Sequence, residues 1–196
     1  AARIAPVALT HTLGKLNVEL FVREVLRATL LTHASPEAVN GALAMAFAVN
    51  LVARRETLPE MLIEDVLAFI DEDDVARALR GASESLRAGE DAAAVAQRLA
   101  SQATIGDAVA AALCLFVTAP DDIERAVLTA ANLPGDASAI GAMAGALCGA
   151  WSGARALPLN LVEGLEGRMY ILMAAPALYR TAQRRAGLFL QLHQRA

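Results

Sequence analysis

The chain has 196 residues, of which 56% are hydrophobic and 19% charged, so it can bury a large core. Its net charge of −4 argues against a general nucleic-acid-binding protein, which needs a basic surface to neutralise phosphates. Cys114 and Cys148 stand far apart in apolar runs. This usage is typical of buried thiols in a reducing compartment and not of a disulfide or zinc framework. We therefore expect a cytoplasmic protein that does not bind nucleic acid.

The pattern of apolar residues is helical along nearly the whole chain. The segment 17–31 has an apolar stripe, and Ser35 with Pro36 is typical of the cap and first position of a second helix. Further helices are predicted after Pro59, after the acidic run 71–74, after Gly106 and after Pro120. A small-residue helix follows Asp136, then a short helix at 157–167. The last helix is predicted from Met169 to about His193, with Pro176 as a kink or break.

No alternating strand pattern of useful length is present, so we expect one all-α domain over residues 1–196. The apolar runs that begin at Ala108 and Ala137 are shorter than the roughly 20 residues of a membrane span. We therefore expect no membrane association. The chain begins "AARIAP" without methionine, which is typical of a fragment or a trimmed sequence.

The segment "NLPGDASAIGAMAGALCGAWSG", from Asn132, raises the main functional question. Asp136 is a preferred N-cap residue, and the spacing of Gly141, Gly145 and Gly149 predicts a neighbouring helix packed close. From spacing alone, a cap ranks above any ligand role for Asp136. The same spacing also occurs in membrane helix dimers.

Other polar residues are ambiguous when taken singly. His33 precedes a helix start, where free backbone amides attract phosphate, but it could equally be a surface or capping residue. Arg3 could pair with a phosphate or be an ordinary surface charge. The acidic run 71–74 favours a solvated helix start over a metal cluster. His11 and His193 have no context that indicates a role.

In their order along the chain, these pieces resemble the ADP-ribosylglycohydrolase family, which includes the dinitrogenase reductase-activating glycohydrolases. "ARIAP" at Ala2 is similar to the arginine-bearing stretch that ends the family's glycine-rich phosphate loop. "THASPEAVNGALAMAFAV" is similar to its TH turn and Ala-rich helix. The segment 116–158 is similar to its helix, "GGDTDT" motif and small-residue helix.

The resemblance implies an all-α orthogonal helical bundle with a cleft for two magnesium ions. It also implies hydrolysis of the glycosidic bond between ADP-ribose and a protein side chain or small molecule. Mg²⁺ suits such chemistry because it takes oxygen ligands and activates water. By resemblance, Asp136 and Ser138 occupy metal-ligand positions, and the ligand-contact candidates are Arg3, His33, Asn132 and Gly135.

The sequence departs from the family at the metal motif. Ser138 stands where the second aspartate is expected, Ala139 replaces the threonine, and Pro134 replaces a glycine. No "TDDT" segment is present, and we expect the family's N-terminal segment to be absent from this sequence. These departures predict that at least one metal position is lost.

Three readings follow. The chain is a hydrolase with a remodelled metal site, a catalytically inactive homologue that binds a nucleotide-like ligand or a protein partner, or a helical interaction module. The third ranks last because it explains neither "THASP" nor "NLPGD". For this chain, the lost ligands favour binding of ADP-ribose or an ADP-ribosylated protein without hydrolysis.

Overall fold

The computed structural model describes residues 1–188, and within this range the chain forms helices and turns with no β-strand. The all-α prediction is confirmed. In chain order the helices are α1 (Ala5–Leu9), α2 (Val18–Leu30), α3 (Pro36–Arg54), α4 (Leu62–Leu67), α5 (Asp74–Arg87), α6 (Ala92–Ala100), α7 (Ile105–Thr118), α8 (Ile123–Ala131), α9 (Ala137–Ser152), α10 (Leu159–Glu163) and α11 (Arg168–Arg185).

Helices α3 and α7 form the centre of the core. Nearly all faces of α7 are buried, including Leu113 and Phe116, as its uniformly apolar sequence predicts. Helix α3 is long and apolar enough to cross a membrane by length and composition alone. However, 67% of its apolar window is buried inside the fold, as in a core helix. The central pair is surrounded by α1, α2, α5, α6 and α9.

Many helix starts have the caps that the sequence indicates. The Ser35 side chain accepts a hydrogen bond from the Ala38 amide, and Pro36 is the first residue of α3. In the acidic run, Asp73 caps α5, whereas Glu72 is exposed and pairs with Arg80. The run is therefore a helix start with a solvated ion pair.

The glycines of α9 allow close packing at two of three positions. A Cβ on Gly141 would lie 3.5 Å from the Ala130 side chain, and one on Gly145 would lie 3.3 Å from Val127. Both neighbours belong to α8, so the predicted close helix is present. A Cβ on Gly149 would meet nothing within 4 Å, so the close packing predicted at this glycine is absent.

Helix α11 differs from the prediction and from the other helices. It continues through Pro176 without a break, and Ala182 is its one buried residue. The predicted extension to His193 lies outside the described residues. The segment 157–173 exposes many large apolar side chains, with Tyr170 78% and Met173 74% exposed.

A partly buried polar cluster attaches the C-terminal part of α11 to the first helices. Arg185 Nη2 lies 2.7 Å from a Glu24 oxygen, and Arg185 Nη1 lies 2.8 Å from Nε2 of the buried His11. The His11 ring packs edge-on against Phe21. Burial lowers the pKa of His11, and the nearby Arg185 cation acts in the same direction. His11, to which no role was assigned from sequence, is thus a structural residue.

Candidate functional site

A cavity of about 380 Å³ opens where the start of the chain meets the first turns of α3, α7 and α9. Its volume lies in the range of small-molecule sites, about 300 to 1,000 Å³. The lining is mostly apolar, with Ile4, Ile140 and Met143 among many alanines. Few polar side chains reach it. Those that do are Arg3, Thr29, His33, Thr104 and Asp136.

Arg3 is held at the cavity by local packing. The neighbouring Ile4 is 2% exposed, and the buried Asn50 side chain of α3 donates a hydrogen bond to the Ala8 carbonyl of α1. These contacts fix α1 on α3. Arg3 Nη2 then donates to the Ala28 carbonyl at 3.0 Å and to the Thr32 hydroxyl at 2.6 Å. The Arg3 guanidinium is therefore positioned by the packing of α1 on α3 and by hydrogen bonds to α2 and to the turn that follows α2.

Thr32 connects Arg3 to His33. Its oxygen accepts from Arg3 and lies 2.7 Å from His33 Nδ1. After it accepts from Arg3, the hydroxyl keeps one proton and one lone pair, so it can accept from Nδ1–H or donate to Nδ1 of the tautomer that lacks a proton there. In that tautomer the ring proton is on Nε2, so His33 can donate a hydrogen bond to a ligand.

Three helix N-termini contribute their first turns to the cavity wall. Ala38 lies in the first turn of α3, Ile105 is the first residue of α7, and Ala139 lies in the first turn of α9. The first amides of an α-helix have no partner within the helix, and its N-terminus carries a partial positive charge. Together with Arg3, these helix ends create a wall that favours an anionic group, such as a phosphate.

Asp136 is the N-cap of α9 and also lines the cavity, opposite in charge to Arg3. Its Oδ1 accepts from the Ala139 amide at 3.0 Å and from the Ser138 hydroxyl at 2.8 Å. The backbone hydrogen bond from Ala139, followed by that from Ser138, lowers the pKa of this carboxyl. The cap agrees with the sequence-based expectation, and Asp136 lines the same cavity as His33. The ligand and metal roles of these residues stay predictions.

The remaining candidates do not line the cavity. The Asn132 side chain donates to the Leu128 carbonyl at the end of α8, and Ser138 faces Asp136. Gly135 has a positive φ of 71°, and a Cβ there would lie 2.5 Å from the Ala100 carbonyl oxygen. The positive φ and the lack of space for a Cβ therefore explain why glycine occupies position 135. Its binding role stays a prediction.

Thr104 and Ala103 are among the cavity residues that were not identified from the sequence. Thr104 caps α7 by accepting from the Asp107 amide, and "TIGD" is the spacing of a capping box, so a search for that signature would have found it. Ala103, beside it, has a φ of 58°, in the left-handed region that a residue with a Cβ rarely adopts. No sequence pattern indicates that strain.

The side chains around Asp136 that could ligate a metal do not fit a two-metal site. Asp136 is the one carboxylate among the described residues that lines the cavity. Across residues 1–188 there is no group of three or more His, Cys, Asp or Glu side chains that could hold a metal. Ser138 is neutral and directs its hydroxyl proton to Asp136, and Ala139 offers no side-chain ligand. Mg²⁺ requires near-octahedral oxygen coordination, which these residues do not supply.

Comparison with known proteins identifies similar chains and a matching family. The chain is 30% identical over 188 residues to an uncharacterized protein of Archaeoglobus fulgidus, covering 94% of this chain and 58% of the relative. It is 29% identical to the uncharacterized protein YegU of Escherichia coli K12, covering 85% of this chain and 53% of that one.

A third relative is the ADP-ribosylhydrolase ARH3 of Bos taurus, 24% identical, with 94% of this chain and 57% of the relative covered. The chain therefore spans little more than half the length of these relatives. Residues 1–187 match the family described as ADP-ribosylglycohydrolase. Together with the all-α fold, this match shows that the chain belongs to the ADP-ribosylglycohydrolase family.

Proposed function

We propose that the cavity binds ADP-ribose or the ADP-ribosyl group of a modified protein, and that this chain binds that group without hydrolysing it. The observation that carries the proposal is the convergence of Arg3 and three helix N-termini on one largely apolar cavity. A diphosphate needs positive charge, and a base or sugar ring needs apolar surface.

Each part of the ligand has a counterpart among the described residues. Arg3 presents a guanidinium suited to phosphate oxygens, and His33 offers a further donor in the tautomer that is protonated on Nε2. Ile105, Ile140 and Met143 supply apolar surface for a ring. The family match and the likeness to ADP-ribosylhydrolase ARH3 support the choice of an ADP-ribosyl group over other anions.

The side chains that line the cavity favour binding without hydrolysis. Acid–base and metal-assisted hydrolysis both need groups that activate water. Among the described residues, Asp136 is the one carboxylate that lines the cavity, and residues 1–188 contain no group of three or more His, Cys, Asp or Glu side chains that could hold a metal. Catalytic inactivity is therefore part of the proposal for this chain. It does not extend to the longer relatives.

Titration of the chain with ADP-ribose by isothermal calorimetry tests the proposal. We expect saturable binding that weakens about tenfold or more in Arg3→Ala, because a hydrogen-bonded charge pair is lost. Arg27→Ala is the matched control, since Arg27 is exposed on α2 outside the cavity. Absence of binding, or equal weakening by the two substitutions, would refute the assignment. Release of free ADP-ribose from a modified substrate would refute the inactivity.

A further inference from the structure

We propose that this chain binds its ADP-ribosyl ligand without a divalent cation, and that Asp136 accepts hydrogen bonds from ligand hydroxyls instead of ligating a metal. The inference rests on the proposed function, since it concerns the same cavity. It arises from the disagreement between a two-metal site and the side chains that the fold places around Asp136.

The hydrogen bonds of Asp136 leave one side of its carboxylate for a ligand. Oδ1 accepts from the Ala139 amide at 3.0 Å and from the Ser138 hydroxyl at 2.8 Å. An ionised carboxylate has about four acceptor positions, so Oδ2 retains its acceptor capacity. Because Asp136 lines the cavity, a hydroxyl group of a bound sugar can reach this residue.

The charges of the cavity wall disfavour a cation. Arg3 carries a full positive charge, and the N-termini of α3, α7 and α9 add partial positive charges. Among the described residues that line the cavity, Asp136 is the one carboxylate that opposes them, while Glu37 and Asp107 lie in the first turns of α3 and α7 outside the lining. Mg²⁺ is usually bound through one or two carboxylates together with substrate phosphates, so here it would have one carboxylate and would compete with Arg3 for the phosphates. A neutral vicinal diol meets no repulsion from these positive charges and donates two protons.

These features assign different walls of the cavity to the two parts of the ligand. The anionic diphosphate faces Arg3 and the N-termini of α3 and α7, and a ribose diol faces Asp136 at the start of α9. Hydrogen bonds from neutral hydroxyls to a carboxylate are charge-assisted, so they are stronger than neutral pairs. Asp136 then has two simultaneous roles: through Oδ1 it caps α9, and through Oδ2 it binds the ligand.

Calorimetric titration with ADP-ribose in EDTA and in excess MgCl₂ is the primary test. Equal dissociation constants, within about twofold, are expected, with no saturable heat from MgCl₂ alone. Binding that requires MgCl₂ would overturn the inference and leave the proposed function intact. Absence of binding in both buffers would overturn both, provided that circular dichroism shows a folded helical protein.

Asp136→Asn separates the hydroxyl acceptor from the cap, because asparagine caps a helix as well as aspartate does. We expect this substitution to weaken ADP-ribose binding about tenfold, and to leave unchanged or strengthen binding of inorganic pyrophosphate, which has no diol. The matched control is Asp122→Asn, since Asp122 caps α8 in the same way, outside the cavity. Strengthened binding of both ligands would show that Asp136 only repels anions, and would overturn the inference.

Discussion

Arg3 Nη2 lies 2.6 Å from the Thr32 hydroxyl, and this contact joins the first residues of the chain to the turn between α2 and α3. The same hydroxyl lies 2.7 Å from His33 Nδ1. Thr32 therefore sets the position of both basic side chains of the cavity, although it does not itself line it.

Thr32→Val should weaken ADP-ribose binding several-fold, because it removes the acceptor for Arg3 and the hydrogen-bond partner of His33 Nδ1 at nearly constant volume. The side chain is exposed, so the free energy of unfolding should change by less than about 0.5 kcal/mol. Calorimetry and urea denaturation measure the two effects. Thr181→Val, at a half-buried threonine of α11 outside the cavity, is the control. Unchanged affinity in Thr32→Val would contradict the positioning role.

Asp136→Ala should lower the free energy of unfolding by about 1 kcal/mol, the usual cost of losing an N-cap. Asp136→Asn should change it little, since the amide oxygen can accept the same hydrogen bond from Ala139. Urea denaturation of the two variants makes the comparison. Equal destabilisation by both substitutions would show that the charge, and not the cap, stabilises α9.

Protonation of His11 should destabilise the fold in mild acid. The folded-state pKa lies below the ordinary value of about 6.5, mainly because of burial. The unfolded chain therefore binds this proton first as the pH falls, and stability declines from about pH 6.5 down through the folded-state pKa. Glu24 on α2, Arg185 on α11 and Arg54 on α3, which donates to the His11 carbonyl, surround the group.

Urea unfolding between pH 7.5 and pH 5.5 measures this decline; the pH values are chosen as about one unit on either side of the ordinary pKa. His11→Gln removes the titration and keeps a polar side chain, so its stability should vary less over the same interval. The pKa of Glu24 is also lowered, because its contacts with Arg185 and His11 outweigh the opposite effect of burial. The titration of Glu24 therefore affects stability at a lower pH than the titration of His11. An identical decline in the variant would exclude His11 as its cause.

Gly106→Ala should destabilise the protein by about 1 to 3 kcal/mol, because a Cβ there would lie 3.0 Å from the Asp74 carbonyl oxygen and from Val75 Cα. These are backbone atoms of α5 and cannot rotate away. Gly81→Ala is the matched control: its Cβ would meet nothing within 4 Å, and alanine favours a helix by up to about 1 kcal/mol. Thermal denaturation should therefore give shifts of opposite sign.

Local chemistry explains which features could be predicted from the sequence. The caps at Ser35 and Asp136 depend on residues within three positions, and the buried face of α7 depends on a single helix. Helix α1 and helix α6 were not anticipated, and both are short: α1 has five residues and α6 has nine. Pro176 did not end its helix.

Long-range contacts could not be read from spacing. His33 and Asp136 share a cavity although 103 positions separate them, and only the family resemblance placed them together. The Arg3–Thr32–His33 connection and the His11–Arg185 contact depend on how α1, α2 and α11 pack. For the same reason Gly149 was grouped with Gly141 and Gly145, although no helix faces it.

The central claim is that one cavity, formed by the start of the chain and three helix N-termini, binds the ADP-ribosyl group. Hydrogen–deuterium exchange of the chain, with and without saturating ADP-ribose, tests it most directly. We predict slowed exchange in residues 1–5, 32–39, 103–108 and 136–140, with little change in α5 and α8. Protection confined to other segments, or no protection at a concentration where calorimetry shows saturation, would contradict the claim.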